Sequence, residues 1–191
     1  MNTPSHMLIG AALFGRPASK RQTLAAALGG LAPDLPAIFL VAYALRIKGD
    51  TPQHVFGTLY FSSDWQAIMA PSHAFPIWGG ALIVALWLRH EIATAFLASG
   101  LFHAICDFCL HHDDPHRHFW PLTDWRFASP FSYWDPAHYG HLFVPFEMLL
   151  SAIAIFWLLT RHRGLWLRVA VGLVAVAYAG QFVMFALMFR S

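Results

Sequence analysis

The sequence predicts an all-α integral membrane protein, with about six helical segments in three hairpins, the first hairpin short or broken, and a long polar-aromatic loop. Three observations carry that expectation. First, the chain is 58% hydrophobic and 12% charged, where a soluble domain carries about a quarter charged residues. Second, the stretches 76–88, 92–110, 142–160 and 165–189 approach or reach the roughly 20 apolar residues that a spanning helix needs. Third, the short connections between apolar stretches are basic: Arg16 to Arg21, Arg89-His90 and Arg161 to Arg168.

The elements follow in order. Residues 4–15 form a first helix of about 18 Å at 1.5 Å per residue, too short to span. A second, over 23–46, is interrupted at Pro33-Asp34-Leu35-Pro36, because proline inside a helix removes a hydrogen bond and clashes with the preceding turn. Four more are expected over 72–89, 91–110, 142–160 and 165–189, with connections over 47–71 and 111–141. The whole chain, 1–191, reads as one membrane-embedded domain in which 1–141 carries the chemistry and 142–191 is a C-terminal transmembrane hairpin. A net charge of +2 without a basic run beyond Arg161-His162-Arg163 argues against a nucleic-acid partner. The amino-terminal charges follow the apolar run, unlike those of a cleaved signal peptide. Cys106 and Cys109, a C-x-x-C pair within an apolar segment, read as small packing residues.

The ionisable residues are unevenly placed. Pro-Ser-His occurs twice, ending at His6 and at His73, each time before an apolar run. If each hairpin folds at its basic turn, His6 comes level with Asp34 and His73 with Asp107. His103, Asp107 and His111 are spaced i, i+4, i+8 and share one helical face. Ionisable groups inside apolar spans are costly and mark function by default. His6, Asp34, His73, His103, Asp107 and His111 are therefore expected to hold a divalent metal. Imidazole and carboxylate donors suit zinc first, then manganese, iron or nickel. So many donors allow one or two ions, with a carboxylate bridging in the latter case. Glu147, a turn or so into the fifth segment, is a further candidate for an ionisable group inside an apolar span.

Residues 111–141, "HHDDPHRHFWPLTDWRFASPFSYWDPAHYGH", crowd histidines, aspartates and aromatics together. Some of Trp120, Trp125, Tyr133 and Trp134 read as interfacial anchors. A connection of this length is usually functional, which makes it the wall or lid of the site, with Asp113, His118, Asp135 and His138 as candidate acid/base groups.

The ordered elements "PSH", "LAPDLP", "SHAF", "HAICDFCLHHDD" and "WPLTDWRFASPFSYWD" resemble the YdjM-like family. Its members are inner-membrane proteins regarded as metal-dependent hydrolases, in some bacteria under LexA control. The resemblance covers most of residues 1–141 and is most specific at His103, Asp107 and Trp120-Pro121. It implies metal-ligand roles for His6, Asp34, His73, His103 and Asp107. Many members carry an Arg-Gly-x-Thr-His-Ser element where this chain has Ala70-Pro71-Ser72-His73, so no arginine stands there to contact a phosphate.

The function expected is a membrane-bound hydrolase of the bacterial inner membrane. It would act through metal-activated water on a phosphoester or other ester of a lipid or amphipathic substrate. The rival readings are a metal or small-solute transporter or sensor, and a non-catalytic membrane subunit. By the positive-inside rule, seven basic residues in the three hairpin turns against five elsewhere place the turns in the cytoplasm and the 111–141 segment outside.

Overall fold

A computed structural model describes residues 1–162 and 164–188, and among them the fold is helical throughout. Arg163 and Arg190, two of the charges counted above, and residue 189 of the last expected segment lie outside the described residues.

Helix α1 (Thr3–Phe14) is short, as expected, and Pro4 sits in its first turn, where a missing N–H costs nothing. Helix α2 (Lys20–Leu31) begins at a Ser19 cap, whose hydroxyl accepts from Gln22 N. The Pro33–Pro36 stretch does not end this helix. The backbone tightens into one 3-10 turn (Ala32–Asp34) and runs on as α3 (Leu35–Tyr43), widening into a π turn over Ala44–Lys48. The tightened turn accommodates both prolines without breaking the rod. Lys20–Lys48 is thus continuous over 29 residues.

The 47–71 connection is more ordered than the sequence suggests. It holds the single turn α4 (Pro52–His54) and helix α5 (Ser63–Met69), which continues through a 3-10 turn at Ala70–His73 into α6 (Phe75–Trp87). Helices α7 (Glu91–Leu110), α8 (Gly140–Arg161) and α9 (Leu165–Met188) match the expected segments closely. Among the described residues, four continuous stretches are long and apolar enough to cross a membrane: Lys20–Lys48, Ser63–Trp87, Glu91–Leu110 and Gly140–Arg161.

The polarity of the fold runs inside-out. Large apolar side chains such as Phe39, Ile83, Phe156 and Val176 point outward, while His6, Thr23, His73, Ser99, His103, Asp107 and Glu147 are buried. In a water-soluble domain, charged residues are almost never fully buried unless paired. The basic hairpin turns gather at one end. Arg16 Nη1 lies 3.2 Å from Glu91 Oε1, joining the first turn to the second. Lys20 flanks Gly164 in the third.

Helix α1 lies against α2, α7 and α8, and small residues let the backbones close. A Cβ on Gly29 would stand 2.0 Å from the Phe96 carbonyl oxygen of α7, and one on Gly30 would stand 2.4 Å from the His6 carbonyl oxygen. These approaches set the depth at which His6, Asp34 and His103 meet. On the far side of α1, Leu8, Ile9 and Ala11 pack with Ala154, Leu158 and Val171 of α8 and α9. Cys106 is half-buried beside this cluster as expected, whereas Cys109 is exposed, and neither is in a disulfide.

Gly29→Ala must displace α2 from backbone atoms that cannot yield. We expect a loss of about 1–3 kcal/mol, or about 2–4 °C in Tm per kcal/mol, in thermal unfolding of the purified protein. Gly80→Ala, which has nothing within 4 Å of the new Cβ, leaves Tm unchanged or higher.

Candidate metal centre

Asp107 is the centre of the buried polar cluster, on the inward face of α7 and 2% exposed. Around it, three imidazoles are held in one orientation. His103 Nδ1 donates to the Gly30 carbonyl at 2.7 Å. His111 Nδ1 donates to Asp114 Oδ1 at 2.9 Å. His73 Nδ1 lies 3.2 Å from Ser72 Oγ, whose own hydrogen goes to the Met69 carbonyl, so the imidazole is the donor there too. Each Nε2 then carries a lone pair and turns inward. His103 Nε2 is 2.9 Å from Asp107 Oδ2, His73 Nε2 is 3.5 Å from the same oxygen, and His111 Nε2 is 3.3 Å from Oδ1. Asp34 closes the opposite side, its Oδ1 3.5 Å from His103 Nε2 and 3.7 Å from His73 Nε2.

None of these three Nε2 atoms makes a hydrogen bond, although all are buried. A buried polar atom without a partner costs about 1–3 kcal/mol. Three of them converging on two carboxylates, each backed by an outer acceptor, form the donor set that a divalent cation satisfies. The ligand atoms of Asp34, His73, His103 and Asp107 lie within 4.8 Å of one another, and so do those of Asp107, His111 and His116. Asp107 is common to both sets.

Asp34 stands as the residue before α3, yet its carboxylate caps no backbone N–H. Its Oδ2 accepts from Thr3 Oγ1 at 2.5 Å, which steadies it toward the cluster. The expected pairing of His6 with Asp34 is not what forms. His6 Nε2 donates to Asp107 Oδ1 at 3.0 Å, and its ring stacks on His103 with centroids 3.6 Å apart. Thr3, nearly one turn before His6 on the same face of α1, is the residue that meets Asp34. His6 therefore steadies Asp107 and stands outside both ligand sets. The Met1 α-amino group also lies 3.0 Å from Asp107 Oδ1.

Glu147 anchors this end of α1. Its Oε1 accepts from Asn2 N, Asn2 Nδ2 and Ser5 Oγ at 3.0, 2.9 and 2.7 Å. A carboxylate at a helix N-terminus also meets the favourable end of the helix dipole. It positions His6 without entering the cluster.

The 111–141 segment divides by direction. His111, Asp114, His116 and His118 turn inward, and His116 stacks flat on His73 with centroids 3.8 Å apart. His118 is buried 6.4 Å from His73, with neither ring nitrogen bonded. Burial, then the neighbouring His73, holds His118 down at about 4 and His116 well below the ordinary imidazole value, so both are neutral at pH 7. For Asp114, burial alone would raise the carboxyl, but the neighbouring His111 and the hydrogen bond it donates bring it below its usual range. The other three expected acid/base groups, Asp113, Asp135 and His138, gather elsewhere. Backbone extended at His111 (φ −109°, ψ 110°) sends consecutive side chains to opposite sides, and with His112 they form a separate, half-exposed group.

His116 was missed by the spacing argument because it sits in a loop with no helical period to place it. The Gly30 carbonyl was missed because a backbone acceptor has no side-chain signature. Tyr133, one of the candidate interfacial anchors, instead leans over His111 with ring centroids 4.9 Å apart. With Asp34, Tyr60, Asp107, His111 and His116 it lines a polar cavity of about 110 Å³ that gives access to the cluster. No family model, no curated protein and no solved structure matches this chain, so the geometry of the cluster is what speaks for its chemistry.

Proposed function

We propose that this chain is a multi-pass protein of the bacterial inner membrane. Its buried His/Asp cluster holds a divalent metal, zinc first, and it hydrolyses a phosphoester or other ester of a lipid or amphipathic substrate. The observation that carries the reading is the set of three imidazoles with Nδ1 tied outward and Nε2 left unbonded against Asp34 and Asp107. The inside-out polarity of the helices speaks for the membrane, and the resemblance to the YdjM-like family speaks for the reaction class.

His73, His103, Asp34 and Asp107 would hold one ion. His111 and His116 would hold a second that shares Asp107. A bound divalent ion supplies Lewis acidity and lowers the pKa of water toward neutrality, from about 15.7 to about 7. The chain's own groups do the rest. His6 fixes the Asp107 carboxylate. Asp114 and the Gly30 carbonyl hold their histidines in the tautomer that presents Nε2. His118, buried beside His73 with both ring nitrogens unbonded, is the further group that would accept a proton. The cavity opens at the end of α7 remote from the basic turns. Asp107 stands about 24 Å along the helix axis from Glu91 at 1.5 Å per residue. A headgroup entering there would leave its apolar tail against the exposed apolar helix faces.

Removing a ligand should empty the site. Asp107→Ala and His103→Ala bind fewer ions than wild type, measured by elemental analysis, and lose hydrolysis of a phospholipid and phosphoester panel, while still partitioning into membranes. Asp114→Ala, which only orients His111, weakens metal affinity by about 10–100-fold. Protein purified without chelator and offered zinc or manganese that binds neither overturns the proposal. Bound metal with no turnover on the panel would leave the non-catalytic reading in its place.

Orientation is tested separately. In a Cys106→Ser/Cys109→Ser background, Ala137→Cys should react with a membrane-impermeant thiol reagent on intact cells, and Ser19→Cys should react only after lysis. The reverse pattern would put the mouth of the cavity on the cytoplasmic face.

A further inference from the structure

We propose that His112, Asp113 and His138 form a second, outer site for a borderline divalent ion such as Zn²⁺, which clips together the two ends of the 111–141 segment. The proposal is independent of whether the inner cluster is hydrolytic.

The same construction seen inside recurs here with different residues. His112 Nδ1 donates to the Ser129 carbonyl at 2.6 Å. His138 Nδ1 donates to Asp135 Oδ2 at 2.6 Å. Nδ1 of each ring is thus engaged outward, and Nε2 is the nitrogen left to face an ion. No hydrogen bond among the described residues engages either Nε2. The outer acceptors are themselves held. Ser129 Oγ donates to the Cys109 carbonyl at 2.5 Å, and Ser129 N donates to the His111 carbonyl at 3.0 Å. Asp135 Oδ1 accepts from Ala137 N at 2.9 Å, which fixes the carboxylate at the start of the Pro136–His138 turn. Such carboxylate- or carbonyl-backed imidazoles are the usual outer support of metal ligands.

The two rings stack with centroids 3.4 Å apart and 18° between planes. Asp113 Oδ1 lies 3.9 Å from His112 Nε2, and one ligand atom from each of His112, Asp113 and His138 falls within 4.8 Å of the others. Two nitrogens and one carboxylate oxygen suit zinc, cobalt(II) or nickel, with water completing the shell. The side chains of His112 and His138 are 30% and 32% exposed, so an ion here exchanges with solvent, unlike one beside Asp107.

The consequence is a closed loop. His112 and Asp113 follow α7 after His111, and His138 precedes α8 with only Tyr139 between, so one ion would join the two ends of the segment that carries His116, His118 and Tyr133. Closing a long flexible loop lowers the entropy of its open states.

The test uses the full-length protein, metal-stripped and titrated with Zn²⁺. Wild type should bind one more ion than His138→Gln. Asp107→Ala should keep one exchangeable ion that the Asp107→Ala/His138→Gln double variant lacks. Asp135→Asn should weaken that ion's binding by about 10–100-fold. Zn²⁺ should also slow limited proteolysis within 111–141 of wild type at least tenfold, and His138→Gln should abolish this protection while circular dichroism shows its helices intact. Equal ion counts and equal protection in wild type and His138→Gln overturn the proposal. Failure of the inner reading would instead show as Asp107→Ala binding as many ions as wild type, with the loss at His138→Gln unchanged.

Discussion

One buried carboxylate organises this molecule. Asp107 accepts from His6 of α1, faces His103 one turn back on its own helix, and meets His73 from the stretch before α6 and His111 from the end of α7. A charge in that position is tolerable only when it is paired, and the Met1 α-amino group and His6 are its direct partners, each 3.0 Å from Oδ1. Every segment near it is therefore held to a position within hydrogen-bonding or near-contact distance of two oxygen atoms. The short α1, the continuous Lys20–Lys48 rod and the inward run after α7 are arranged to meet that demand.

The packing that meets it is made largely of small residues. Gly29 and Gly30 bring α2 against the backbones of α7 and α1, and the same approach that leaves no room for a Cβ puts the Gly30 carbonyl under His103. Structural contact and site support are here one feature. Where only van der Waals packing and a few polar contacts hold apolar helices together, close backbone approach is the principal cohesive device. Its use beside the polar cluster makes the cluster rigid.

The parts of this arrangement that obey a period were legible in the sequence. The His103–Asp107–His111 stripe follows from helix geometry, and the basic turns located the hairpins well enough to bring Asp34, His73 and Asp107 together. What could not be read was depth and direction. Thr3 and His6 are nearly one turn apart on the same face of α1, and it is Thr3 that meets Asp34. After α7 the chain turns His111 inward, His112 and Asp113 outward and Asp114 inward again, and Asp135 and His138 lie with the outward pair. Pro33 and Pro36 misled for a simple reason: a 3-10 turn absorbs prolines that an ideal α-helix would not.

The position of α1 bears on how the chain matures. At about 18 Å it is too short to hold its place alone, and it carries the polar side chains of Ser5 and His6 into the interior. Their partners Asp107 and Glu147 lie 101 and 142 residues further along. At roughly 5–20 residues per second of synthesis, α1 waits about 7–30 s before the last of these partners leaves the ribosome. The first helix made is thus among the last to be seated, and anything that captures it during that interval competes with assembly of the cluster.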